Sequence, residues 1–234
     1  MSDKVVVMTK DLIDLLSILK ITCEQKGKVP EINGVYIYST RGAYGDEPGE
    51  QDLLAGISTD YSTAGHTYIQ IEGGDLGDEG VFIPLDELKA IEMRMKSIQE
   101  EEHVMTISVD TVDEIVTFEE YDKDNPFIHR FPLVDVDFPV SAVQAWLEGS
   151  SNPLQDEMGV PLDDGDVMVL NTDAMSTISK VAKKLKESGI PTVKKHRAAV
   201  YPLELGEFWR GAMLPDELVI SNDKDDLVND MYLP

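Results

Sequence analysis

Residues 172–215 hold one order of elements that narrows most of what this chain can fold into. Ile178, Val181, Ala182 and Leu185 recur at i, i+3, i+4 and i+7, the spacing of an apolar stripe along a core-facing helix. At about 100° per residue the same helix turns Lys180, Lys183 and Lys184 to its far side, with Lys186 on the flank. Gly189 is placed to stop it. Strands are predicted beyond it near Thr192–Arg197, Ala199–Leu205 and Phe208–Leu214. The chain carries 20 basic against 45 acidic residues, a net charge of −25. Four lysines on one helix are therefore a local reversal of sign, and the reversal asks for a cause.

The rest of the composition sets limits. At 234 residues there is material for one large domain or two small ones. An apolar share of 42% and a charged share of 28% suit a globular protein. No run of about eighteen apolar residues suggests a membrane span, and the opening MSDKVVVMTKDLIDLL lacks the layout of a secretory signal. The one cysteine, Cys23, excludes an internal disulfide and fits a reducing compartment, so the cytoplasm is the expected location. A phage-encoded chain working in its host's cytoplasm fits equally well. The negative charge argues against coating nucleic acid with the whole surface, because counterion release needs a basic footprint. It permits a basic face inside an acidic exterior.

Read in order, the chain predicts an α+β fold. Lys4–Met8 is a β-branched run; Thr9 is placed to cap a helix in which Leu12, Leu15, Leu16 and Leu19 share a side. Gly34–Thr40, Leu53–Asp60 and His66–Glu72 read as strands, with Arg41–Gln51 as an exposed loop and Gly73-Gly74 as a terminator. Gly80–Ile83 leads through Pro84 into a second helix that points Leu88, Ile91, Met95 and Ile98 inward and carries Lys89 and Lys96 together elsewhere. Three strands follow, at His103–Val109, Glu114–Tyr121 and Phe127–Val136. Residues 1–139 thus form a first domain. Residues 140–166 are a connector with a short helix anchored by Trp146. Residues 167–215 repeat the closing half of the first domain, and 216–234 are an acidic tail. The recurrence is one of element order: short strand, helix with outward lysines, three strands.

Chemistry-bearing patterns are few. The clusters Asp163-Asp164-Gly-Asp166 and Asp223-Lys-Asp225-Asp226 lack the loop of a calcium site and read as solvated turns. The histidines (His66, His103, His129, His196) have no metal-ligand spacing. No phosphate-cradling loop or nucleophile elbow occurs, and Cys23 reads as a buried inert thiol. Neither an enzyme nor a cofactor nor a metal is expected. The lysine faces are the remaining signal, with a solvated helix side as their alternative reading.

Several stretches together resemble the DNA sliding clamp family, and within it the bacterial DNA polymerase III β subunit. LLSILKITCEQ is similar to the family's first helix, and GVYIYST to the strand that follows. LLAGISTDYSTAGHTYIQIEGG resembles its strand, Gly-rich turn and next strand. GVFIPLDELKAI resembles the strand that ends in Pro and opens the second helix. VDVDFP resembles the domain-closing strand, and FWRGAMLP the terminal strand. The resemblance spans roughly residues 5–139 and 167–215; the second domain lacks an opening helix and strands, and the chain runs on past Pro215.

That resemblance implies clamp domains of helices packed on antiparallel sheets, the second truncated, arranged in a ring around duplex DNA. It implies a processivity factor whose partners are non-sequence-specific duplex DNA, a DNA polymerase and a clamp loader. Two domains per chain imply a trimer, with a dimer as the alternative. The DNA-facing residues would be Lys89, Lys96, Lys180, Lys183, Lys184 and Lys186, and Met213, Leu214 and Pro215 would border a partner groove. The shortened second domain and the negative surface support another reading: a clamp-derived regulator or inhibitor of host replication proteins that closes no ring.

Overall fold

The β-branched start of the chain becomes strand β1 (Asp3–Met8), with Val5 and Val7 fully buried. The computed structural model describes residues 3–77, 80–98, 103–121, 126–147, 172–186, 192–193 and 201–213. Helix α1 (Thr9–Thr22) follows without a loop and buries Leu12, Leu15, Leu16 and Leu19, as their spacing predicts. Thr9 is not its cap. Met8, in extended conformation, occupies that position with no side-chain cap bond, and the Thr9 hydroxyl is engaged 2.6 Å from Nδ1 of His103.

Strands β2 (Gly34–Gly42), β3 (Gln51–Thr59) and β4 (Thr63–Gln70) form an antiparallel meander. The loop between β2 and β3 is shorter than expected, because pairing continues to Gly42 opposite Gln51. At the β3–β4 turn, Oδ1 of Asp60 accepts the backbone N–H groups of Ser62 and Thr63, the Asx geometry that lets Tyr61 take φ of 66°. Gly73-Gly74 does not end the sheet region; it forms β5 (Gly73–Asp75), which crosses to pair with β1. A Cβ on Gly74 would lie 2.0 Å from the Lys4 carbonyl oxygen, and its φ is +82°. Only glycine lets the chain change sheets there.

Strand β6 (Val81–Pro84) opens α2 (Leu85–Met95), and β7 (Val104–Asp110), β8 (Ile115–Glu120) and β9 (Ile128–Pro132) complete this unit. Leu88, Ile91 and Met95 are fully buried, while Ile98 lies past the helix end and packs at the core margin. Helix α3 (Val140–Leu147) buries Val143, with Trp146 only partly covered. Helix α4 (Thr172–Leu185) buries Ala174, Ile178 and Val181, and half-buries Ala182 and Leu185. It ends before Gly189, which lies outside the described residues. Lys186 takes the left-handed conformation at φ of 58° that stops it. Strands β10 (Thr192–Val193), β11 (Tyr201–Leu205) and β12 (Trp209–Met213) close the described chain.

Two antiparallel sheets result, one ordered β5-β1-β7-β8-β9 and the other β10-β11-β12-β4-β3-β2-β6. The first unit (β1, α1 and β2–β4) and the second (β6, α2 and β7–β9) exchange their opening strands: β1 pairs with β7, and β6 with β2. One core then runs through both sheets and both helices, from Val5 to Phe131. The third unit, α4 with β10–β12, extends the larger sheet, its β12 pairing antiparallel with β4 from Trp209 opposite Thr67 to Met213 opposite Thr63. The fold is the expected α+β arrangement of helices on antiparallel sheets.

Candidate nucleic-acid interface

Residue alternation gives the seven-stranded sheet two different faces. Leu54, Gly56 and Ser58 of β3, Gly65 of β4, and Trp209 and Met213 of β12 look toward the helices. The glycines permit close approach: a Cβ on Gly56 would lie 2.4 Å from Leu19 Cδ1, and one on Gly65 2.5 Å from Thr22 Oγ1. The Thr22 and Ser58 hydroxyls meet at 2.6 Å, and Ser58 donates to the Leu19 carbonyl at 2.8 Å. Helix α1 is thereby seated on β3 and β4. Its Ile18 and Ile21 join Ala174, Ile178 and Val181 of α4 in a second core over Leu203, Leu205 and Trp209. On its other flank α1 touches α2. The row α2–α1–α4 lies on one side of the sheets, while α3 covers part of the other through Val143, Ile57, Ala64 and Ala212.

All six lysines picked out from the sequence lie on α2 or α4, or in the turn that follows each, and all are exposed. Their surroundings differ. Lys89 sits 3.3 Å from Asp86, Lys96 3.8 Å from Glu92, and Lys184 3.1 Å from Asp14 of α1. Among the described residues, Lys180, Lys183 and Lys186 have no carboxylate in ion-pair reach. Lys20 reaches across from α1 to Oε2 of Glu92, a carboxylate only 3% exposed. Sequence reasoning missed Glu92, since a polar residue one place from the apolar stripe gives no sign of the helix that will cover it. Net positive charge is thus concentrated on α4, while α1 and α2 carry mixed charge.

Met213 is fully buried in the second core, under α4, and Leu214 and Pro215 lie outside the described residues. The outer face instead shows aromatic residues. Tyr36 stacks on Phe138 at 5.6 Å, and Tyr44, Tyr68 and Phe208 pack together with centroids 5.1–6.3 Å apart. His66 lies beside Tyr68, and burial, followed by the Arg210 charge, pushes its imidazole down to about 4.

Three further arrangements lie apart from the helix row. Thr9 Oγ1, His103 and Glu120 form a hydroxyl–imidazole–carboxylate row, with both contacts at 2.6 Å. Thr9 has no exposed surface, so the row pins the start of α1 to β7 and β8. Cys23 is buried just past the end of α1, and desolvation raises its thiol to about 12, so it stays protonated. A polar cavity of about 300 Å³ between β2, β3 and β5 is lined by Ser39, Arg41, Asp52 and Asp75, with Arg41 and Asp52 paired to each other at 3.0 Å. Among the described residues no three His, Cys, Asp or Glu side chains converge as a metal site would need, and no helix is long and apolar enough to cross a membrane. The acidic clusters at 163–166 and 223–226 lie outside the described residues.

No protein-family profile and no curated protein sequence matches the chain. Solved structures do. The DNA polymerase III β subunit of Thermotoga maritima superposes with a TM-score of 0.57 at 13% identity, over 92% of this chain and 64% of that one. The sliding clamp of Bartonella birtlesii gives 0.61 at 13% identity, over 92% and 66%, and that of Caulobacter crescentus 0.61 at 14%, over 92% and 65%. The chain spans about 65% of the length of the clamps it resembles. At this distance in sequence the chain has the fold of the bacterial DNA polymerase III sliding clamps.

Proposed function

We propose that this protein is a sliding-clamp-type processivity factor, without enzymatic activity of its own, that holds duplex DNA along α2–α1–α4 while tethering a DNA polymerase. The observation that supports this reading is the row of three helices in which Lys180 and Lys183 of α4, and Lys186 in the turn after it, have no carboxylate in ion-pair reach among the described residues. Ammonium groups on flexible stems contact phosphates without reading bases, so the duplex is held and still slides. An oligomer enclosing the duplex would block dissociation while each contact stays weak. The clamp loader, the polymerase contact beside Met213, Leu214 and Pro215, and a cytoplasmic location belong to the same proposal. The test is primer extension on a long primed template with the polymerase it serves. Wild-type protein should lengthen products per binding event, and Lys180→Glu/Lys183→Glu should lose most of that gain. Unchanged product length with wild-type protein overturns the reading.

A second reading has its own support. Lys89, Lys96 and Lys184 are already matched by carboxylates, and the net charge is −25. A clamp-fold regulator that binds a replication protein without enclosing DNA would have this balance. It is favoured if the protein binds a purified clamp loader or polymerase with high affinity, shortens its products, and is not retained on circular DNA.

A further inference from the structure

At one end of the β4–β12 pairing three aromatic rings meet, each from a different stretch of chain. Tyr68 is carried by β4, Phe208 comes just before β12, and Tyr44 lies between β2 and β3. Tyr44 and Phe208 have centroids 5.1 Å apart, Tyr68 and Phe208 5.9 Å, and Tyr44 and Tyr68 6.3 Å, with planes tilted by 37°, 79° and 64°. None of the three pairs is a face-to-face stack, and all three residues are half-buried, so π surface stays open. The Tyr68 hydroxyl donates to the Glu207 carbonyl at 3.3 Å, which ties the first unit to the third at this corner. Met213 lies at the other end of the same pairing, opposite Thr63.

The rim of this corner is anionic. Residues 43–50, AYGDEPGE, hold Asp46, Glu47 and Glu50 and no basic residue. Oε2 of Glu47 accepts the Gln70 side-chain amide at 3.4 Å, which places it beside the end of β4. A Cβ on Gly45 would lie 3.7 Å from Phe208 Cζ and 3.8 Å from Glu207 Oε2, so ring and carboxylate flank the same glycine. Burial, then the charges of Asp11 and Glu47, raises the Tyr44 hydroxyl above its ordinary value. The cation of β12, Arg210, stands opposite His66, two positions along from Phe208 and Tyr68. Open π faces inside a carboxylate rim attract a cation.

We infer that this corner docks a basic segment of a partner protein through one arginine. A guanidinium meets both features at once: its flat face rests on the rings, and its N–H fork donates to Glu47 or Glu207. Resting about 4 Å over the three centroids, it would lie about 5 Å from each, within cation–π range. A lysine ammonium has the charge but neither the plane nor the fork. Further basic residues of the segment would face Asp46 and Glu50. Nucleic acid is the wrong occupant, since its bases could stack here but its phosphates would meet the carboxylates. The inference stands whether or not the helix row binds DNA.

The experiment is NMR of the full chain with isotope-labelled tyrosine and phenylalanine, titrated with the peptide acetyl-GSRGRSG-amide and with its lysine and citrulline counterparts. The rings of Tyr44, Tyr68 and Phe208 should shift together as the arginine peptide is added. The lysine peptide should bind about threefold more weakly, and the uncharged citrulline peptide about tenfold. Glu47→Gln/Glu207→Gln should weaken the arginine peptide about fivefold, and Tyr44→Leu about threefold. Asp113→Asn/Glu114→Gln, in the exposed turn between β7 and β8, removes the same charge and should change binding by less than about 1.5-fold. No shift at the three rings overturns the inference, as does a citrulline peptide that binds as well as the arginine one. Equal weakening by the two glutamate-site and turn variants would mean that the peptide senses only total charge, and overturns it too. A lysine peptide that binds as tightly overturns the choice of arginine. If Tyr44→Leu does not fold, the citrulline comparison and the two charge variants decide.

Discussion

Glu92 shows how one side chain fixes the relation between two helices. Its Oε2 takes Lys20 from α1 and lies near Lys96, while its Oε1 has no partner among the described residues. A buried carboxylate stripped of its cation is costly, whereas an apolar replacement removes the charge and the demand together. Lys20→Met should therefore lower unfolding stability by about 2 kcal/mol, less than for a fully buried pair because Lys20 is 29% exposed. Glu92→Met should cost less, and urea midpoints of the two variants compare them directly. A larger loss in Glu92→Met would mean that the ion pair itself is net stabilising. His66 supplies a pH dependence of definite sign. Its folded value near 4 lies below the usual 6.5, so the unfolded chain takes up the proton first as acid is added. The stabilisation from keeping it neutral is complete above pH 6.5 and is lost as pH falls toward 4, at up to about 1.4 kcal/mol per unit. Carboxylates titrate in the same range, so the measurement is the difference between wild type and His66→Gln from pH 4 to 7. The variant should have the flatter profile, and parallel profiles would remove His66 as the cause.

At the scale of elements, the junction between the first and third units depends on two facing glycines. Gly211 of β12 stands opposite Gly65 of β4. A Cβ on Gly211 would fall 2.0 Å from Cη2 of Trp209, whose ring lies over it within the second core. Gly211→Val should therefore displace Trp209 and cost about 3 kcal/mol, as overpacking does. The loss should be local: hydrogen-exchange protection should fall in 201–213 and persist in β7 and β8. Equal loss in both would show that the third unit unfolds only with the rest. This junction also marks where sequence stops being informative. Helices α1, α2 and α4 were legible because their apolar residues repeat every three or four positions, and β1 to β4 because β-branched runs end at turn residues. The partner of β12 was not legible, since strand pairing joins residues more than 140 positions apart and leaves no local pattern. Thr9 misled for the same reason: its hydroxyl has the right place for a cap, and His103, 94 residues away, claims it. The candidate lysines were found by position on their helices, but the carboxylates beside them, Asp14 above all, belong to contacts that only the fold creates.

For the whole molecule the question is whether the helix row or the overall charge governs contact with DNA, and Asp14 separates the two. Asp14 is 52% exposed and Lys184 36%, so their pair across α1 and α4 contributes little to stability. Asp14→Asn should shift unfolding by less than about 0.5 kcal/mol. It also frees Lys184 beside Lys180 and Lys183, which lengthens the cationic stretch on α4 that no carboxylate pairs with among the described residues. Each added phosphate contact steepens the dependence of log K on log salt by about 0.9. Asp14→Asn should therefore bind duplex DNA more tightly at low salt and show that steeper slope. Asp113→Asn, in the exposed turn between β7 and β8, changes net charge equally and lies outside the helix row. It should raise affinity only slightly, through the weaker long-range field of a protein at −25. Fluorescence anisotropy with a labelled duplex from 20 to 200 mM salt measures both. Equal changes in the two variants would mean that the duplex senses only total charge, and the helix row would lose its claim to be the DNA-facing surface.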